Sequence, residues 1–365
     1  MIPLVRTTES YPLPRRNKHP GQTRLAGLLV AIFTVATPLA ACSSKTIDAP
    51  PPTIEPAGPA VALPVSAAPA GAVRPLSGSP VAALVDAGSA ALVVLRPGVD
   101  GRAESSLTVF GPGSAAPRTI PLPGPATSVA GDGRGVAYLS TLGGYFVVDL
   151  AAGTASRVDI NGQQNTDFTA IARRNDGKLV LGSADGTVFI LASAGENATA
   201  VAEQTKIFAR VDSIVTQGDT AVVLDRGQTS VTAVGPDGRP QQALRAGDGA
   251  TTLAADPAGR VLVTDTRGDE LMVFSVDPLI MRQRYPVALA PYGLTGSSTL
   301  AWVSQTAANV VVGYDLATGI PVEKVRYPTV QQPNILAFDD SSDTLYVISG
   351  SGAGVQVIDH ATAPR

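Results

Sequence analysis

The chain has 365 residues, 27 basic against 30 acidic, for a formal net charge of −3; no concentrated basic face is expected, which argues against nucleic acid as a partner. A single cysteine, Cys42, rules out an intrachain disulfide and a thiolate zinc cluster, and two histidines, His19 and His360, leave the body of the chain without imidazole for a Ser-His-Asp triad or a His-ligated metal. Abundant Gly (37) and Pro (30), few charges (16 %) and short runs of Val, Thr, Ile and Leu favour an all-β protein with many tight turns.

Residues 1–24 are polar and carry Arg6, Arg15, Arg16, Lys18 and Arg24, and Leu25–Leu39 is apolar. A basic stretch, an apolar run of about 15 residues and small residues at its end predict a secretory signal peptide over residues 1–41. The run is shorter than the roughly 20 residues a membrane span needs, and Pro38 interrupts its end. Arg15-Arg16 is not followed by the apolar pair of a twin-arginine signal, so general secretion ranks higher. Leu39-Ala40-Ala41-Cys42 resembles the lipobox of bacterial lipoproteins. That resemblance implies cleavage between Ala41 and Cys42, lipid on the Cys42 sulfur, and anchoring on the outer face of the cytoplasmic membrane.

Without residues 1–41 the chain keeps 22 basic and 29 acidic residues, a net charge of −7 and an acidic surface. Residues 42–72 comprise the cysteine and a Pro/Ala-rich stretch with no visible period. Composition predicts an extended, disordered tether there, with the globular domain over residues 73–365.

Beyond it one pattern repeats. In Thr251–Phe274 an apolar run is followed by the turn Asp256-Pro257-Ala258-Gly259, a β-branched run, a second turn at Thr266-Arg267-Gly268-Asp269 and a third apolar run. Runs this short between turn residues are strands of an antiparallel meander. Aligned on the end of the second strand, seven copies fall at Arg96, Ser140, Gly182, Asp225, Asp265, Ser304 and Ser349, in steps of 39 to 45 residues. Six are followed by a more charged fourth strand. Four short strands per repeat at this period predict a seven-bladed β-propeller. The seventh repeat stops after its third strand, at Asp359, so Ala72-Val73-Arg74-Pro75-Leu76 is expected to pair with Gly354–Asp359 and close the ring.

Thr251–Phe274 resembles an NHL-type repeat, and Asp343–Ala361 and Val310–Thr318 resemble the YVTN type. Together with the lipobox, residues 25–365 are similar to actinobacterial propeller lipoproteins of the LppL type. The resemblance implies fold and lipidation; such repeats are scaffolds with varied uses. No Trp-Asp dipeptide occurs, and a lone tryptophan, Trp302, excludes the repeated tryptophan docking of quinone-cofactor dehydrogenases.

Asp225 and Asp265 end the second strands of adjacent repeats. They would either converge on a cation through oxygen ligands or accept hydrogen bonds from turn N–H groups; only two of seven repeats carry Asp there, which favours the second reading. Arg74, Arg118, Arg157, Arg282, Arg284, Lys324 and Arg326 recur on outer strands, either as a girdle for anionic polymers or headgroups, or as charges that keep edges from pairing; the acidic net charge favours the latter. Trp302 reads as core rather than as a stacking platform.

The sequence therefore predicts a non-enzymatic, membrane-tethered propeller without a cofactor, presenting a rigid face or channel mouth to an envelope protein or small ligand. The alternative is a hydrolase or lactonase-like enzyme working through carboxylates around a metal, since some propellers of similar repeat type act on lactones. A carboxylate cluster at the channel mouth would favour the enzyme, and an exposed apolar patch on one face would favour partner binding.

Overall fold

Blade 5 shows how the repeat folds. Its first three strands are Ala250–Ala255, Arg260–Asp265 and Glu270–Val276, paired antiparallel with Leu253 opposite Val263 and Val263 opposite Met272. The first turn is set by Asp256, whose Oδ1 accepts the Ala258 N–H at 2.6 Å while its carbonyl accepts the Gly259 N–H at 3.0 Å. Gly259 takes φ +82°, which a side chain would disfavour. The outer strand, Leu279–Pro286, follows directly and pairs with the third.

The computed structural model describes residues 51–98, 103–113, 115–194 and 197–363. Among them the meander recurs as seven four-stranded antiparallel sheets. Blades 1 to 6 span Ala82–Pro121, Val129–Asp159, Phe168–Lys206, Ser213–Arg245, Ala250–Pro286 and Pro291–Pro328; blade 7 begins at Pro333. The first strands of successive blades touch one another all round the ring, with Pro333–Asp339 returning to Ala82–Asp86. They are therefore the innermost strands, and the chain is a closed seven-bladed propeller.

The apolar runs are continuous rather than alternating because each blade is covered on both sides. In blade 5, Val261, Val263, Met272 and Phe274 pack toward blade 4 with Val222, Leu224, Val231 and Ala233. The intervening Leu262, Leu271 and Val273 pack toward blade 6 with Ala301, Val303 and Val312. Seven such clusters fill the seven gaps between blades. The core is thus a set of wedges, and removing any one leaves two sheet faces uncovered.

Ring closure follows the expectation. Ala72–Arg74 is the outer strand of blade 7 and pairs antiparallel with Val355–Asp359, Ala72 opposite Val357 and Arg74 opposite Val355. Arg74 also reaches blade 1, donating to the Gly111 carbonyl at 3.3 Å and to the Ala115 carbonyl, with its guanidinium 4.8 Å from the centre of the Phe110 ring. The first and last parts of the propeller are thereby joined through backbone and side chain.

Residues 51–71 depart from the disordered tether that composition predicts. They form an extended strap against one face of the ring. The Ile54 N–H donates to the Gly227 carbonyl (2.8 Å), Leu63 N–H to Ala307 (3.3 Å) and Ala70 N–H to Pro328 (3.0 Å), and Ala57 and Ala62 are buried. The physical reason lies in the ring: its turns supply donors and acceptors that the strap's own composition does not reveal. Antiparallel connectivity puts the turns between second and third strands on this face, together with the links from one blade's outer strand to the next blade's inner strand. The turns between first and second and between third and fourth strands form the opposite face.

Candidate binding face

Asp225 and Asp265 end the second strands of blades 4 and 5 on the strap side, and both are completely buried. Asp265 accepts the N–H groups of Asp248 (2.6 Å), Gly249 (2.9 Å) and Gly268 (2.8 Å). Asp225 accepts those of Ala209 (2.8 Å), Arg210 (3.2 Å) and Gln228 (2.8 Å). Each carboxylate therefore holds its own blade's turn and the link arriving from the preceding blade. Of the two sequence readings, the turn-fixing one describes both residues: backbone N–H groups take three of the roughly four lone-pair sites of each carboxylate. Among the described residues no three His, Cys, Asp or Glu side chains gather as a metal site. Neighbouring Asp212 accepts the Arg226 N–H at 2.7 Å and pairs with the Arg210 guanidinium at 3.2 Å. Burial raises its pKa against the opposing pull of the Arg226 N–H and the two arginines, and the charge of Asp225 adds to the rise.

The strap crosses this face close to the ring axis. Gly249 and Gln332 each immediately precede an inner strand, at Ala250 and Pro333; both meet the strap. A Cβ on Gly249 would lie 3.0 Å from the Ala57 Cβ, and Gln332 donates from Nε2 to the Ala60 carbonyl (2.7 Å) while its Oε1 accepts the Ala62 N–H (3.0 Å). Arg226 donates to the Ala57 carbonyl, Arg267 to Glu55 (2.8 Å) and Asn309 to Leu63 (2.6 Å). While small side chains point inward, large apolar ones point out: Val61 is 91 % exposed, Leu63 70 %, Leu289 51 % and Ile54 44 %. Leu63 and Leu289 both bond through their backbones to Ala307, so the ring contributes to the same apolar area as the strap.

On the opposite face the seam between blades 7 and 1 holds a groove of about 530 Å³, lined in part by Arg74, Pro112, Pro117, Asp339, Tyr346 and Asp359. Its best-buried carboxylate, Asp339, is already engaged, accepting from Ser341 N–H and Oγ and from Ser342 Oγ. Burial opposes ionisation of Asp339, but these serine hydrogen bonds outweigh it and lower its pKa. Burial also raises the Tyr346 hydroxyl pKa, with Asp339 and Asp359 adding to the effect.

The outer-strand cations are held by local partners. Arg118 donates to Ala151 (3.0 Å) and Leu150 carbonyls of blade 2, joining blades as Arg74 does. Arg157 bonds Asp159 (2.7 Å) and the Leu142 carbonyl (2.6 Å); Arg282 bonds Ser275 (3.0 Å), Arg284 bonds Glu270 (2.6 Å), Lys324 pairs with Asp315 (3.5 Å) and Arg326 bonds Glu323 (2.8 Å). Trp302 is fully buried, stacked against Tyr327 and Phe338, and donates to Ser297 Oγ at 3.3 Å, so it is core and offers no ring to a ligand. Ala41 and Cys42 lie outside the described residues.

Sequence reading missed Arg226, Arg267, Asn309 and Gln332. The one signal available was polar residues in turns on the face that carries Asp225 and Asp265, and nothing local distinguishes those that meet the strap.

No protein-family model matches the chain, and no curated protein sequence does. Solved structures do match it. The RRP9 WD40 repeats share 15 % identity, covering 80 % of this chain and 99 % of theirs, with a TM-score of 0.66. Virginiamycin B lyase from Staphylococcus aureus shares 10 %, covering 79 % and 99 %, with a TM-score of 0.63. A streptogramin B lyase shares 9 %, covering 80 % and 96 %, with a TM-score of 0.59. The likeness is one of fold. WD40 repeats and lyases stand side by side among these neighbours, so the comparison establishes the propeller fold alone.

Proposed function

We propose that this chain is an envelope lipoprotein whose propeller serves as a docking platform, tethered through lipid on Cys42 to the outer face of the cytoplasmic membrane, with the strap side as its working face. The observation that carries this reading is the exposure of Val61, Leu63, Leu289 and Ile54 on the side where Asp225 and Asp265 are fully engaged by backbone N–H groups. Such a face offers apolar area and shape, on which protein association draws, and keeps Asp225 and Asp265 away from solvent. The lipobox-like Leu39-Ala40-Ala41-Cys42 supports the anchor.

Crosslinking the lipidated protein in living cells, followed by mass spectrometry, tests the proposal. A reproducible envelope partner is expected, lost both in Cys42→Ala and in Leu63→Asp/Leu289→Asp. Capture that persists in the Leu63/Leu289 variant would place the working face elsewhere, and a Cys42→Ala protein still held at the membrane without lipid would refute the anchor.

A further inference from the structure

The strap sits in a site built to hold polypeptide. Of its polar contacts with the ring between residues 54 and 63, every one goes to strap backbone: Ile54 N–H, Ala62 N–H and Leu63 N–H donate, and the carbonyls of Glu55, Ala57, Ala60 and Leu63 accept. The side chains turned inward are the two small ones, Ala57 and Ala62. On the receiving side, Gly227 and Gly249 allow close approach: a Cβ on Gly227 would come 3.2 Å from Thr53 Cγ2, and one on Gly249 3.0 Å from Ala57 Cβ.

The receiving backbone is itself held in an uncommon shape. Asn309 and Gln332 both take left-handed conformations, at φ 54° and 60°. Left-handed backbone is tolerable for Asn and unfavourable for Gln, and persists where surroundings over-determine it. Here the two residues brace each other, the Gln332 N–H donating to Asn309 Oδ1 at 2.9 Å, and the Gln332 amide is steadied by Asn334 at 3.0 Å. The result is a primary amide that reads one carbonyl and one N–H of an extended chain two residues apart, as a neighbouring strand would.

From this we infer that the strap side over blades 4 to 7 is a peptide-binding site, filled in cis by residues 54–63, whose ligand class is an extended Pro/Ala-rich polypeptide with small residues at two positions five apart. Recognition runs through main-chain hydrogen bonds, and specificity comes from the two inward positions and from prolines that pre-extend the chain. A partner carrying such a segment would compete with the strap for this site. The inference goes beyond the platform reading, since a partner seated in this site replaces Ile54, Val61 and Leu63 rather than docking on them, and it is independent of the anchor on Cys42.

The test uses the full chain and a fluorescent synthetic peptide of residues 51–66. Ala57→Arg/Ala62→Arg in the chain is expected to release the strap, seen as loss of amide-exchange protection at Ile54, Ala62 and Leu63 with the propeller's circular dichroism intact. That variant is expected to bind the wild-type peptide saturably by fluorescence anisotropy. The wild-type chain, whose strap competes at an effective concentration on the order of millimolar, is expected to bind it at least about ten-fold more weakly. Adding Gln332→Gly, which suits the left-handed backbone and removes the two hydrogen bonds that the side chain makes to the bound segment, is expected to weaken peptide binding by about ten-fold. Three results would each overturn the inference: strap amides that stay protected with arginine at both positions, no peptide binding by the released variant, or binding that Gln332→Gly leaves unchanged. Failure of the cellular crosslink alongside successful peptide binding would count against the anchored platform and leave this site standing.

Discussion

Replacing Asp265 with alanine separates a turn-holding carboxylate from a metal-binding one. In the wild type the side chain has no exposure and accepts three backbone N–H groups. Hydrogen bonds to a charged acceptor contribute about 1.5–3 kcal/mol each, and a buried donor left without a partner costs about 1–3 kcal/mol. Gly249 is buried, so its N–H would lose its acceptor outright, whereas Asp248 is exposed and Gly268 half-buried, and water can serve their N–H groups. The net loss for Asp265→Ala is therefore about 3–5 kcal/mol, short of the sum of three bonds. Asp265→Asn keeps an acceptor but turns an NH2 group toward at least one N–H, for a loss of about 1–3 kcal/mol. At roughly 2–4 °C per kcal/mol, alanine should lower Tm by about 10 °C. Urea unfolding followed by circular dichroism, with and without added calcium, checks both readings. The expected outcome is a lower midpoint for Asp265→Ala and for Asp225→Ala, and no response of the wild type to calcium. An unchanged midpoint, or a calcium-induced rise in the wild type that Asp265→Ala abolishes, would refute the reasoning.

Two further expectations concern the wedges between blades. Trp302→Ala should destabilise by about 3–5 kcal/mol, since a fully buried ring packed against Tyr327 and Phe338 is removed between blades 6 and 7; being the only tryptophan, Trp302 should also emit to the blue and resist acrylamide quenching, and strong quenching would contradict its place in the core. Burial pushes the Tyr145 and Tyr314 hydroxyls up to about 12 from the ordinary 10, with the Tyr138 and Glu323 neighbours adding to the rise. The folded chain therefore holds protons that the unfolded chain has released between those values, so this contribution to stability is complete below pH 10 and is lost as pH rises toward 12. Urea midpoints at pH 9 and 11, with phenolate absorbance followed in parallel, should show the fall, and all eight phenols titrating at about 10 in the folded protein would exclude it.

The blade pattern was legible because it is local. A run such as Arg260–Asp265 must be apolar at consecutive positions when both sheet faces are covered, and turns such as Asp256–Gly259 must carry residues that tolerate their backbone angles. Closure by residues 72–74 was legible for the same reason, since a blade that stops at its third strand leaves an edge to be paired. The turn-fixing role of Asp225 and Asp265 was one of two readings that residue type and position allowed, and the N–H groups around each carboxylate chose between them. The strap was not legible. Its Pro/Ala composition describes a chain that makes no secondary structure of its own, and the partners that order it, Arg226, Arg267, Asn309 and Gln332, lie more than 160 residues away in sequence. Order in residues 51–71 comes from donors and acceptors that reach one place only after seven blades have closed.

By itself, then, the sequence determined the repeat and the number of blades, because each depends on short-range pattern. Only the tertiary structure decided that the strap side carries an exposed apolar area over engaged carboxylates, and that a Pro/Ala-rich segment lies bound there. Closing a ring brings turns from distant blades to one rim, and no local pattern encodes which of their side chains will meet.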